Sequence, residues 1–363
     1  MKTLTAAAAL VVATLALTSC SVHRPAGDGT ANGSAPPSCT TPGGTPRECA
    51  VDGYADRPMD VYVPSSYAGD AMPVVIFLHG GGGNSHNAQA TTCSDGDPAD
   101  SSCLQAVGDR EGFITVFANG YHRPANPLNM RTWNAGGGTT FACASGAACT
   151  DGSDDVAYVS AVIDQIESDY AIDSSRVYVV GFSDGAAMAH RVGCELSGRV
   201  AAIVAVSGAN EIGADGACAP TDPVAVMHIH GTADTCWSYV SSREACADGD
   251  PLPKAGVAES TAVWVAALGC DNVAVASTMP DVDPTDGTTT SVATYGGCQG
   301  GVEVRILTVD GGGHVYPQGS KVREPRDRTD VVTEDFGNEQ IWAWLSQWSK
   351  TPRSKTPRSK TTG

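Results

Sequence analysis

A serine with a glycine two residues away on each side, Gly181-Phe182-Ser183-Asp184-Gly185, is the first stretch whose residue types and spacing could do chemistry. The β-formers Arg176 to Val180 feed it, and small helix-forming residues follow at once. That context predicts a strand, a sharp turn and a helix, with the Ser183 hydroxyl standing clear at the helix N-terminus. Side chains at the flanking positions would crowd so tight a turn, which accounts for Gly181 and Gly185. The backbone N–H of Asp184 would point at the same spot and help stabilise an oxyanion. A chance match is the alternative in a chain with 42 glycines, and the predicted strand and helix weigh against it.

A serine hydroxyl is a poor nucleophile until a base takes its proton, and the usual base is a histidine oriented by a carboxylate. Asp234 follows the apolar run Val224 to Ile229. His314 lies in Gly311-Gly312-Gly313-His314, after a run ending at Val309. The order serine, acid, histidine suits the arrangement, and the glycines would let the loop bring the imidazole back over Ser183. The other histidines are weaker candidates. His79 and His230 each precede a glycine at a strand end, where a turn or packing role is expected. His228 falls inside a strand pattern, His190 in the helix after Ser183, His86 and His122 in loops, and His23 near the N-terminus.

The run His79-Gly80-Gly81-Gly82-Gly83 reads as the other half of an oxyanion hole, with Gly81 as its backbone donor. A phosphate-cradling loop is the rival, and no Gly-Lys-Ser/Thr follows to support it. His228, His230 and Cys236 fit no common zinc spacing, and there is no C-x-x-C, so neither a metal nor an organic cofactor is expected. Trp133 could be a substrate-stacking platform or part of a structural turn. Asp155 reads as a helix cap.

The elements that must position these groups follow from periodicity. Met59–Pro64 alternates as an early strand, and Pro73–Leu78 and Phe113–Phe117 are continuous apolar runs of the kind buried on both faces. Val156, Val159, Ile163 and Ile166 fall at helical spacing within a helix from Asp155 to Tyr170. Further strands are expected at Arg176–Val180, Ala202–Val206, Val224–Ile229, Thr290–Tyr295 and Val302–Val309. Helices are expected at Gly185–Cys194, Gly256–Leu268 and Glu334–Trp348. Strands alternating with helices give an α/β fold, a mostly parallel central sheet with helices on both faces.

The 363 residues suit one large α/β domain. A formal charge of −18 argues against nucleic acid as a partner. Residues 1–20 read as a signal segment: Lys2, an apolar run Ala6–Leu17 too short to span a bilayer, then Leu17-Thr18-Ser19-Cys20. That ending resembles a bacterial lipobox, which makes Cys20 the expected lipidation site. Residues 21–48 are rich in Gly, Ser, Thr, Pro and Ala and read as a disordered tether. Residues 49–349 would form the catalytic domain, and 350–363, with Thr-Pro-Arg-Ser-Lys twice, a basic disordered tail. Of the 13 cysteines, all but Cys20 could pair in an oxidising compartment. Pairing of neighbours would give 39–49, 93–103, 143–149, 194–218, 236–246 and 270–298, although spacing alone does not fix connectivity.

Together the motifs resemble the secreted esterase family of polyhydroxybutyrate depolymerases and feruloyl or acetylxylan esterases, in particular its actinobacterial lipoproteins. The resemblance covers about residues 57–348. It rests on Leu78–Gly83, Arg131–Ala135, Asp154–Val156, Gly181–Ala189, His230–Asp234, and Gly311–His314 with Pro317. It implies an α/β-hydrolase fold and carries the family's triad onto Ser183, Asp234 and His314. The implied reaction is hydrolysis of carboxylic esters through an acyl-enzyme, on polyhydroxyalkanoate oligomers or on feruloyl or acetyl sugars. The implied protein is an extracellular or membrane-anchored monomer. Acyl transfer to a carbohydrate acceptor and non-catalytic surface binding are the alternatives. The chain departs from the family pattern at Ala186, where a second glycine is usual, and at Cys236-Trp237-Ser238-Tyr239 after the acid.

Overall fold

The computed structural model describes residues 39–94, 96–123, 129–136, 146–212, 218–241, 254–319 and 330–350. In chain order the elements are β1 (Arg47–Cys49), β2 (Met59–Tyr62), β3 (Met72–Leu78), α1 (Ser85–Thr91), α2 (Leu104–Glu111) and β4 (Ile114–Ala118). Then come α3 (Ala147–Thr150), α4 (Asp155–Asp169), β5 (Ile172–Phe182), α5 (Asp184–Glu195), β6 (Ala202–Val206) and β7 (Ala225–Gly231). The last are α6 (Val257–Ala267), β8 (Val275–Thr278), β9 (Thr289–Tyr295), β10 (Val304–Asp310) and α7 (Asn338–Leu345).

The strands form one sheet in the order β1-β2-β4-β3-β5-β6-β7-β10-β9-β8. The segment from β4 to β10 is parallel throughout. Antiparallel strands finish each edge, β2 and β1 on one side, β9 and β8 on the other. The α/β expectation therefore holds. Side chains alternate across the pleat. Val74, Ile76 and Leu78 of β3 enter the core under α4, α5 and α6, while Val75 and Phe77 enter the one under α2 and α7. Two covered faces explain why the central strands read as unbroken apolar runs.

Two local differences from the expected elements have their causes in contacts distant along the chain. Asp154, not Asp155, caps α4, accepting from Ala157 N at 3.0 Å. Asp155 is buried in an ion pair with Arg57 at 2.7 Å and accepts from Asn134 N at 2.6 Å. The last helix begins at Asn338 rather than Glu334, because the preceding residues are bound to other loops. Glu334 N donates to Asp286, and the Asp335 carboxylate accepts from Val282 N and Thr290 Oγ1.

The domain boundary also moves outward. Residues 39–48 were expected in the tether, yet Cys39 is bridged to Cys49, and β1 pairs with β2. At the other end Lys350 N donates to Ser175 O, and its Nζ donates to Val200 O. The pairs 39–49, 93–103, 194–218 and 270–298 are present. Cys149 and Cys236 are also disulfide-bonded, and their expected partners Cys143 and Cys246 lie outside the described residues. So do Cys20, the signal segment and residues 351–363.

Candidate active site

β5 ends at Phe182, and Ser183 follows with φ +57° and ψ −120° before α5 begins at Asp184. A non-glycine residue in this region costs about 1–3 kcal/mol and persists only where its surroundings impose it. Here Ser183 N donates to Val206 O at 2.8 Å, and Ser183 O accepts from Ala186 N and Ala187 N at 2.9 and 3.2 Å. A Cβ on Gly181 would collide with the backbone of Gly185, and one on Gly185 with the carbonyl oxygens of Leu78 and His79. Both glycines are required by backbone contact.

His314 arrives on the loop after β10. Its Nε2 is 2.9 Å from Ser183 Oγ and its Nδ1 2.8 Å from Asp234 Oδ2. An ionised carboxylate only accepts, so Nδ1 carries the proton and Nε2 accepts from the hydroxyl. The loop is fixed by His314 N donating to Asp330 Oδ1 at 3.1 Å and Gly313 N to Val331 O at 3.0 Å. The Phe182 ring packs against the imidazole at 5.1 Å between centroids.

Asp234 is buried in the turn after β7. Its Oδ1 accepts from Cys236 N at 2.8 Å and Trp237 N at 2.7 Å, while His230 Nε2 lies 3.3 Å from Oδ2. Burial alone would push this carboxyl up. The positive charge that His314 takes on once protonated, with the hydrogen bonds from His230 and His314, overrides it and holds Asp234 well below the usual carboxylate range.

The glycine loop after β3 lies against the elbow. A Cβ on Gly80 would sit 3.3 Å from Ser183 Cβ, and one on Gly81 3.6 Å from Asp184 Cβ. Gly82 N is committed to Arg131 O at 2.7 Å and Gly83 N to Gly80 O at 3.0 Å. His79 anchors the start of the loop. Its Nε2 accepts from Gly120 N at 2.9 Å, so its Nδ1 carries the proton and donates to Gly80 O at 2.8 Å. Burial lowers the His79 imidazole to about 3, which keeps it neutral.

Trp133 does not fit a stacking platform. It is fully buried, its Nε1 donates to His79 O at 2.9 Å, and its backbone N donates to Asp184 Oδ2 at 2.7 Å. The residue ties the glycine loop to the start of α5. Three further groups escaped the sequence reading. His79 and His230 were assigned only turn or packing roles, although His230 and Asp234, four apart in one short turn, were a usable signal. Nothing in the sequence marked Glu211, which is buried with no hydrogen-bond partner for either carboxyl oxygen. Burial and the nearby Asp184 push it up to about 8 against a weaker opposing pull from Lys254. Among the described residues, no group of three or more His, Cys, Asp or Glu side chains is placed to hold a metal ion.

A mostly parallel sheet covered on both faces, with a serine on a strained strand-to-helix turn at the C-terminal end of a central strand, defines an α/β-hydrolase fold. The chain belongs to the phospholipase/carboxylesterase family, whose model matches residues 63–246, about half of the chain. It is 28% identical over 266 residues to feruloyl esterase B of Piromyces equi, an alignment spanning 72% of this chain and 43% of that protein. It is 25% identical over 295 residues to the bifunctional acetylxylan esterase/xylanase XynS20E of Neocallimastix patriciarum, covering 81% of this chain and 34% of that one. The chain thus spans less than half the length of either relative. Among solved structures, an acetyl xylan esterase from Aspergillus awamori matches with a TM-score of 0.53 at 15% identity, over 84% of this chain and 99% of its own. That match shows a shared fold. The resemblance to feruloyl and acetylxylan esterases drawn from the motifs holds.

Proposed function

We propose that the protein is a serine carboxylesterase in which Ser183 is acylated and then released by water. The observation that carries this reading is the unbroken hydrogen-bonded line from Ser183 Oγ through His314 to Asp234, with links of 2.9 and 2.8 Å. His314 Nε2 takes the hydroxyl proton as Ser183 Oγ attacks the ester carbonyl, and Asp234 holds the resulting imidazolium. The backbone N–H groups of Gly81 and Asp184 stabilise the tetrahedral oxyanion. His314 returns the proton to the departing alcohol, leaving an acyl-serine. It then deprotonates a water that attacks this intermediate, and it returns that proton to Ser183 Oγ as the acyl–oxygen bond breaks and the acid leaves.

The substrates proposed are feruloyl or acetyl esters of sugars, in keeping with the names of the relatives. Polyhydroxyalkanoate oligomers are the other acyl class that the motifs imply. Disulfides in the described fold support export to an oxidising compartment. In this reading Cys20 carries a lipid anchor and the enzyme acts as a monomer at the membrane surface.

The test is hydrolysis of p-nitrophenyl acetate, butyrate and octanoate by the wild type beside Ser183→Ala. Methyl ferulate, acetylated xylan and a 3-hydroxybutyrate oligomer then serve as candidate natural esters. Turnover confined to the wild type supports the assignment, and the preferred ester names the substrate class. Equal rates in both proteins would overturn it. Incorporation of a labelled fatty acid that is lost in Cys20→Ala tests the anchor.

A further inference from the structure

We infer that His230 is a positioning residue for Asp234: a neutral fourth side chain whose Nε2–H lies against the carboxylate and so limits how strongly it holds His314. The inference rests on reading Ser183, His314 and Asp234 as the reacting set.

The tautomer follows from the neighbours. His230 Nε2 lies 2.6 Å from Trp237 O and 3.3 Å from Asp234 Oδ2. Both oxygens only accept, so Nε2 carries a proton; it donates to Trp237 O, and Asp234 Oδ2 lies within 3.3 Å of the same N–H. His230 Nδ1 lies 3.0 Å from His228 Nε2. With His230 neutral, Nδ1 accepts and His228 donates from Nε2. His228 Nδ1 is then a bare acceptor, and it is buried without a partner. With His230 charged, His228 would have to carry its proton on Nδ1 and bury an unpaired donor beside a buried cation. The neutral pair is the less costly state.

The groups around the pair favour the same state. His190 on α5 packs on His228 at 5.4 Å, accepts from Trp264 Nε1 on α6 at 2.9 Å, and faces Ser260 Oγ at 3.4 Å. Tyr239 meets the His230 ring edge-on at 5.9 Å. His314 faces it across the shared Oδ2. Burial holds His190 at about 3 and His228 well below the ordinary imidazole range. Asp234 is thus the anionic group in direct contact with His230, and a line of neutral rings stands behind it.

Two effects on Asp234 follow. His230 pins Trp237 by its carbonyl oxygen, and Trp237 N in turn donates to Asp234 Oδ1. The same Nε2–H also disperses charge from Oδ2, the oxygen that meets His314. Without this donor the carboxylate becomes more basic and binds the imidazolium more tightly, so His314 takes its proton at a higher pH.

The experiment compares wild type, His230→Leu and His230→Gln; the glutamine amide can donate to the same two oxygens. His314 titration is followed by NMR, and the acid limb of kcat/KM is followed on p-nitrophenyl acetate. In His230→Leu both move to higher pH by about half a unit to one unit, and His230→Gln restores most of the shift. An unmoved limb in a folded His230→Leu, with only Tm or kcat lowered, would overturn the proposal in favour of a purely structural brace. Should His230→Leu fail to fold, long-range 1H–15N spectra of the wild type decide. A neutral His230 protonated at Nε2 supports the proposal, and a proton on Nδ1 overturns it. Titration and tautomer are read without substrate, so they stand apart from the esterase reading, which fails only if turnover does not depend on Ser183.

Discussion

The indole of Trp133 donates to the carbonyl oxygen of His79 at 2.9 Å, while the same residue's backbone N holds the Asp184 carboxylate at 2.7 Å. One buried residue, through its indole and its backbone N, therefore ties the glycine loop to the turn that carries Ser183. Trp133→Phe keeps most of the volume and leaves the His79 carbonyl unpaired, which costs about 1–3 kcal/mol. The expected result in chemical denaturation and steady-state kinetics is lower stability with a lower kcat. KM for feruloyl and acetyl esters will change in parallel. A rise in KM confined to the aromatic ester would restore the stacking role.

Asp234 keeps the Nδ1 proton of His314 in place, and that depends on its being an acceptor only. In Asp234→Asn the amide can turn its NH2 towards the ring and favour the wrong tautomer. A fall in kcat of roughly 10³–10⁴-fold is expected on p-nitrophenyl acetate, with the circular dichroism spectrum unchanged. A fall of less than about tenfold would remove Asp234 from the relay.

Arg57 and Asp155 pair at 2.7 Å with both side chains buried, and the guanidinium lies 3.7 Å over the Tyr158 ring. Asp155→Ala strands the cation in the core and also frees Asn134 N and Ser153 Oγ from their acceptor. A loss of about 3–5 kcal/mol is expected in urea denaturation. A loss below about 1 kcal/mol would mean that water reaches the site.

Stability should pass through a maximum with pH, with different residues limiting each side. His79 and His190, held at about 3 against an ordinary 6.5, bind fewer protons folded than unfolded. Their contribution is present above pH 6.5 and is lost as pH falls towards 3, by up to about 1.4 kcal/mol per pH unit for each group. Glu211 is raised from 4.5 to about 8, so its contribution is present below 4.5 and is lost as pH rises to 8. Glu211→Gln will flatten the decline in Tm between about pH 6.5 and 8 and leave the acid side in place. An unchanged alkaline decline in that variant would show that Glu211 is not its source.

Much of the frame was legible because its causes are local. The apolar runs of β3, β4, β6 and β7 are buried on both faces, and the helical spacing of Val159, Ile163 and Ile166 matches the buried stripe of α4. The short α1 and α2 were missed, as was the edge strand β8, whose residues are all exposed and so carry no alternation. Helix α7 starts at Asn338, four residues later than the pattern suggests, because Glu334 N is bound to Asp286 and the Asp335 carboxylate to Val282 N.

The candidate site divides along the same line. Sequence alone determined Ser183 on its elbow; Gly181 is set by clearance from Gly185 within the turn, while Gly185 is set by the distant carbonyls of Leu78 and His79. It also picked out Asp234 and His314 by their order at strand ends. Only the tertiary structure decided that Trp133 is buried, that Asp154 rather than Asp155 caps α4, and that His79 and His230 brace the two loops around the serine. Apart from His230, whose partners Asp234 and Trp237 sit in the same turn, those roles depend on partners far along the chain, such as Gly120 for His79, Asp184 for Trp133 and Arg57 for Asp155. The sheet order brings such partners together, and no local pattern of residues encodes their distance.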